Sequence, residues 1–166
     1  MHTLRDAQVH VFASNSADNQ PNASETLDVL LIQLASELYA LPSASVREVV
    51  RYREYTPVPG APPVLPGILN QRGAILPVVD LPLLLGLESA PPTRTTRLVV
   101  ISHNEIDMAL LAERVLDLVG LPASTIDPLP TALDPARARY LRGVVHYEDQ
   151  PDALLDLNEL ISGLRA

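Results

Sequence analysis

The chain has 166 residues, 47% of them hydrophobic and 19% charged, the composition of a folded domain with its own core. Its net charge of −8 is reached without a single lysine, and scattered arginines on an acidic chain argue against a nucleic-acid partner. The absence of cysteine excludes a disulfide, a thiolate metal site and a thiol nucleophile, while sixteen prolines against seven glycines favour short elements, stiff connections and a mainly β fold.

The first ten residues, MHTLRDAQVH, lack the apolar stretch of a signal peptide, and no apolar run reaches the length of a spanning helix. These features predict a cytoplasmic protein without direct membrane insertion. Residues 1–26 are polar and end in SNSADNQPNASET, so they predict a flexible N-terminal extension, with the folded domain over residues 27–164. Order begins at residues 27–35 (LDVLLIQLA), a strand too apolar to be half-exposed, and returns through residues 37–42 (ELYALP). Ser45 and Glu48 have the spacing of a capping box, which predicts one or two helical turns over residues 45–49 and a strand over 50–55. The proline-dense residues 56–66 are a surface connection.

Residues 67–81 read GILNQRGAILPVVDL. Two apolar runs around the turn Asn70-Gln71-Arg72-Gly73 predict a β-hairpin, with Gly73 supplying a positive φ and Arg72 standing at its tip. Asp80 can cap a short helix over 81–85 that Gly86 ends. Residues 88–95 are loop, strands are expected over 96–103 and 106–112, and residues 115–121 read as a further strand or as a turn followed by a strand. Glu113 and Arg114 read as a surface ion pair. A second proline-marked connection leads to a strand pair over 140–147 and 152–155. Asp156 and Glu159 then open a C-terminal helix as a second capping box.

The hairpin has a twin. Residues 143–157, GVVHYEDQPDALLDL, align on residues 67–81 without a gap at an offset of 76, matching Gly67 with Gly143 and Asp80 with Asp156. Upstream, Ala40, Val46 and Glu48 match Ala109, Val115 and Asp117 at an offset of 69. Two copies of a unit too small to bury its own face must share a core. The expected architecture is therefore two strongly bent sheets or barrels packed on each other, each with a short helix at its exit. The turn chemistry does not repeat: Asn-Gln-Arg-Gly in the first copy becomes His-Tyr-Glu-Asp in the second.

Catalytic signatures are missing. The four histidines are separated from one another and from carboxylate pairs, so no metal site is expected, and no phosphate loop, nucleophile elbow or zincin motif occurs. Asp80 and Asp156 are more simply helix caps than acid–base groups. A binding module without a cofactor remains.

From residue 27 to residue 164 the chain resembles the CheW-like family of bacterial chemotaxis coupling proteins. The resemblance is carried by Val46-x-Glu48-Val49, Val58-Pro59, Gly67-Ile68-Leu69-Asn70-x-Arg72-Gly73 and Leu76-Pro77-Val78-Val79-Asp80-Leu81. It continues through Ile126 to Pro130, Gly143, and Leu154-Leu155-Asp156-x-x-x-Leu160. It implies two five-stranded β-barrel subdomains around one hydrophobic core, and a non-catalytic adaptor recruited to membrane-associated receptor arrays. The implied partners are the cytoplasmic tip of methyl-accepting chemoreceptors and the regulatory domain of the histidine kinase CheA. Asn70, Arg72 and Gly73 would contact the receptor; Val46, Glu48 and Val49 would lie at the kinase and receptor interface. An adaptor of a non-flagellar pathway (twitching or surface sensing) and a small-ligand sensor using the groove between the barrels remain open alternatives.

Overall fold

The computed structural model describes residues 25–165, and the extension expected over residues 1–26 falls outside it except for its last two positions. Eleven strands are present among the described residues: β1 (Thr26–Leu34), β2 (Glu37–Pro42), β3 (Val46–Arg51), β4 (Thr56–Pro57), β5 (Gly67–Gln71), β6 (Ala74–Val79), β7 (Arg97–His103), β8 (Ile106–Ala112), β9 (Arg114–Pro122), β10 (Leu141–Tyr147) and β11 (Gln150–Leu155). Three short helices accompany them: α1 (Leu81–Leu84), α2 (Pro135–Ala138) and α3 (Leu157–Arg165). One sheet has the order β10-β11-β2-β1-β9 and the other β3-β7-β8-β6-β5-β4, where β4 is a two-residue edge strand.

The repeat governs this topology in a way its pattern alone does not reveal. Each copy lends its first hairpin to the other copy's sheet: β1–β2 joins β9–β11, and β7–β8 joins β3–β6. Registers repeat with the sequence offsets. Val78 lies beside Ala109 where β6 runs parallel to β8, and Leu154 lies beside Ala40 where β11 runs parallel to β2. Even the bulges coincide, passing over Arg47 opposite β7 and its counterpart Leu116 opposite β1. Each sheet also curls until its long outer strands meet through side chains. Glu48 on β3 reaches Gln71 on β5, and Asp117 on β9 accepts from the Tyr147 hydroxyl on β10 at 3.1 Å.

Exchange explains why the 27–35 segment is apolar on both faces. Val29 and Leu31 face the inside of one barrel with Val145 and Leu154, while Leu30, Ile32 and Leu34 face a core common to both barrels. β7 and β8 do the same: Leu98 and Ala109 point into the second barrel with Leu69 and Val78, and Val99, Ile101, Met108 and Leu110 into the common core. Burying a side chain of this size contributes about 1.5–3 kcal/mol, and the exchanged hairpins supply most of the common core.

The glycines shared by the two hairpins have a steric cause. A Cβ on Gly67 would stand 2.3 Å from the Thr56 carbonyl oxygen, and one on Gly143 would stand 2.7 Å from that of Asp127. In both copies the incoming connection crosses the start of the hairpin there. Asp80 caps α1 by accepting from the Leu83 amide at 3.1 Å, and Asp156 accepts from the Glu159 amide at 3.2 Å.

Two local expectations fail. Residues 45–49 are not helical: a single 3-10 turn, Ser43–Ser45, leads directly into β3, and β3 ends at Arg51 rather than at 55. The Ser45 hydroxyl is engaged by His103 Nδ1 at 3.0 Å instead of by a helix amide, and β-branched Val46, Val49 and Val50 pair with β7. Glu113 does not pair with Arg114. Its carboxylate accepts from the Ala35 amide at 2.8 Å and the Ser36 amide at 3.4 Å, fastening the tip of β1–β2 to the start of β9. The tip of β7–β8 is fastened likewise, by Ser45 and by Asn158 of α3, which accepts from His103 Nε2 at 2.8 Å.

Candidate functional site

The β5–β6 turn places Arg72 and Gly73 at its two central positions, both with positive φ (55° and 86°), the twist that suits a two-residue hairpin. Asn70 makes this turn rigid. Its Oδ1 accepts from the Gly73 amide at 3.1 Å, and its carbonyl accepts from the Arg53 guanidinium. Asn70 and Gly73 thus set the direction in which Arg72 leaves the surface.

Arg72 sits over the seam of its barrel. Its Nη2 donates to Glu48 Oε1 at 3.2 Å, and Gln71 donates to Glu48 Oε2 at 3.3 Å, so one carboxylate joins β3 to the hairpin. The side chain of Arg72 is 78% exposed and that of Glu48 is 27% exposed. An ion pair so open to solvent adds little stability. Its effect is orientation, because the guanidinium keeps further N–H donors that have no partner among the described residues and can fork onto a carboxylate or carbonyl. The neighbouring surface is apolar: Ile75, opposite Asn70 in register, is 59% exposed, and Ile68 is also exposed on the same face.

The expected site residues are therefore partly assembled. Asn70, Arg72, Gly73 and Glu48 form one hydrogen-bonded group. Val49 does not join it; it lies on the exposed face of β3 with Arg47 and Arg51. Val46 packs against the common core. Gln71 and Arg53 belong to the group and were not anticipated, although burial of Gln71 follows from the alternation of β5, in which Gly67, Leu69 and Gln71 face inward.

The second copy serves as an internal comparison. Asp117 and Tyr147 take the places of Glu48 and Gln71, so the seam contact is kept with other chemistry. Glu148 and Asp149 occupy the turn, again with positive φ (51° and 63°), so an acid stands where Arg72 stands in the first copy.

Elsewhere, a cavity of about 290 Å³ opens between the sheets, lined from one side by Gln33 and Arg114 and from the other by Tyr52, Tyr55 and Asp80. No grouping of three or more metal-ligating side chains occurs among the described residues.

Two small barrels that exchange hairpins around one core, with a rigid cation-bearing turn beside exposed apolar side chains, define a β-barrel docking module. The chain belongs to the CheW-like domain family, whose model matches residues 28–165. It is 28% identical over 130 residues to the chemotaxis protein CheW of Helicobacter pylori, covering 78% of this chain and 79% of that one. It is 35% identical over 127 residues to protein FrzA of Myxococcus xanthus (75% and 79%) and 29% identical over 133 residues to protein PilI of Pseudomonas aeruginosa (78% and 72%). The fold matches that of the scaffolding protein TtCheW from Thermoanaerobacter tengcongensis with a TM-score of 0.72 at 24% identity, covering 79% of this chain and 89% of that one.

Proposed function

We propose that the protein is a non-catalytic cytoplasmic adaptor that couples methyl-accepting chemoreceptors to the regulatory domain of the histidine kinase CheA. The observation that carries this reading is the Arg72 turn: an exposed guanidinium with donors to spare, aimed by Asn70, Gly73 and Glu48, on a frame whose other copy carries Glu148. In this reading Arg72 contacts the receptor tip, Asn70 and Gly73 hold the turn, and Glu48 and the exposed Val49 border the kinase and receptor interface. Val46 acts by packing β3 against the common core. The acting place is the cytoplasmic side of a receptor array, and no helix among the described residues is long and apolar enough to cross a membrane. An adaptor of a non-flagellar pathway is the second reading, favoured by identities to FrzA and PilI as high as those to proteins named CheW.

The test is capture of partners by Arg72→Glu and wild-type protein. The charge reversal leaves the melting temperature within a degree or two and removes the receptor from the captured set. Receptor capture that is unchanged by the reversal sinks the role assigned to Arg72. The co-captured receptor and kinase identify the pathway.

A further inference from the structure

A second concentration of charge lies away from the Arg72 turn. Arg51 at the end of β3 stands directly opposite Arg97 at the start of β7, and Arg94 comes from the loop before β7. These three arginines border a cavity of about 510 Å³ whose remaining wall is Tyr52, Thr93, Thr95 and Thr96. Among the described residues no carboxylate lines that cavity and none pairs with these guanidiniums. Like charges directly opposite each other on paired strands are destabilising. An acidic chain has thus gathered three of its twelve basic side chains at one place, at a cost.

The repeat shows that the frame does not need them. At the same offset of 69, Arg51 corresponds to Gly120, Arg97 to Asp28 and Arg94 to Glu25. Asp28 and Gly120 are cross-strand partners just as Arg97 and Arg51 are. The same backbone pairing forms with a glycine and a carboxylate, so packing does not call for the cations.

The threonines hold the loop and are already in use. The Thr93 amide donates to Thr96 Oγ1 at 2.8 Å, the Thr95 amide to Thr93 Oγ1 at 3.3 Å, and the Thr95 hydroxyl to the Glu113 carbonyl at 2.9 Å. Arg97 Nη1 is fixed on the carbonyls of Arg94 and Thr96 at 2.9 and 3.0 Å, which orients its remaining donors. What this cavity offers a ligand is guanidinium, and guanidinium suits phosphate.

The cavity between the sheets adjoins this one and shares Tyr52, Thr93, Thr95 and Thr96 with it. There Tyr55, Pro91 and Pro92 supply flat apolar surface, and Asp80 and Glu113 supply carboxylates that already accept from Leu83, Ser89, Ala35 and Ser36 and keep lone pairs for a further donor. Carboxylates repel a phosphate and accept from amino groups. We propose that this cleft is a nucleotide-binding site, in which Arg51, Arg94 and Arg97 take the phosphates and the tyrosine–proline cavity takes the amino-bearing base.

Titration calorimetry in phosphate-free, low-salt buffer tests it, with ADP and inorganic pyrophosphate as probes. ADP is expected to bind at least tenfold more tightly than pyrophosphate. Arg51→Gln and Arg97→Gln should each weaken ADP at least tenfold, and Arg51→Gln, which relieves the like-charge pair, should do so without lowering the ligand-free melting temperature. Arg142→Gln, on the other barrel, and Arg72→Glu should leave ADP affinity unchanged. Any of these results overturns the proposal: no heat from either probe at millimolar concentration, equal affinity for both probes, retained ADP binding in the Arg51→Gln/Arg97→Gln double variant, or an equal loss in Arg142→Gln. Capture of an acidic peptide by these arginines without ADP binding would assign them to a protein partner and likewise overturn it.

Discussion

Asp152 on β11 is 1% exposed, and neither carboxylate oxygen has a hydrogen-bond partner among the described residues. It lies opposite Val145, whose side chain fills the interior of its barrel with Leu154. The corresponding position in the other copy is Leu76, 4% exposed. Burial pushes the Asp152 carboxyl up from 3.8 to about 6, against a small opposing pull from His146. For an acid raised in this way the native state holds its proton longer than the unfolded chain does. Stability therefore falls as pH rises from about 4 to about 6 and then levels off. Once the group is ionised the folded state bears about 3 kcal/mol, against about 1 kcal/mol at pH 4.5. Asp152→Leu, which installs the residue of the other barrel, should raise stability at pH 7.5 by about 3 kcal/mol from this cause alone. For a chain of this size that is a melting-temperature gain of roughly 6–12 °C. The gain should shrink to about a third of that at pH 4.5. Thermal melts of both proteins at the two pH values decide the matter. An equal gain at both, or a loss at pH 7.5, would show that Asp152 does not ionise in an apolar barrel interior.

Three further outcomes follow from the same geometry. Gly67→Ala should destabilise by about 1–3 kcal/mol in urea unfolding, and more than Gly143→Ala, because its added Cβ would stand 2.3 Å from a backbone oxygen against 2.7 Å in the other copy. Asp149→Gly, which copies Gly73 at a positive-φ position, should stabilise by roughly 1 kcal/mol. Asn158→Ala removes the acceptor of His103 Nε2 and Asn104 Nδ2, and should speed amide exchange in α3 while leaving β1 and β2 protected.

What was legible in the sequence is what short-range chemistry dictates. The β5–β6 and β10–β11 hairpins, the Asp80 and Asp156 caps, and Arg72 at the tip of its turn follow from apolar runs, turn residues and capping side chains. The helix expected over residues 45–49 does not form because a Ser-x-x-Glu spacing is only an opportunity for a cap. Here His103, 58 residues away, competes successfully for the hydroxyl, and Glu48 is drawn to Gln71 and Arg72. Glu113 was misread for a related reason: its amide partners at Ala35 and Ser36 are 78 and 77 residues distant. The exchange of hairpins was equally invisible, since a strand's pattern records that both faces are buried and not which sheet buries them. Asp152 passed as an ordinary strand residue because alternation reports a face, not whether that face is wet.

The repeat allows structural and functional demands to be separated inside one chain. Positions where both copies agree, such as Gly67 and Gly143 or Asp80 and Asp156, answer a shared steric or capping need, and each has its cause in the fold. Positions where register and backbone conformation agree while chemistry differs are released from that need. Arg72 against Glu148, and Arg51 with Arg97 against Gly120 with Asp28, are of this kind. Leu76 against Asp152 is a third, and the last of these stands out because its difference weakens the fold instead of leaving it untouched. A charge that the frame neither requires nor profits from is where selection for something other than folding has room to act. By that reasoning the Arg72 turn and the Arg51–Arg94–Arg97 cleft are separable: each should lose its own ligand on substitution while the paired barrels, and the other site, remain as they are.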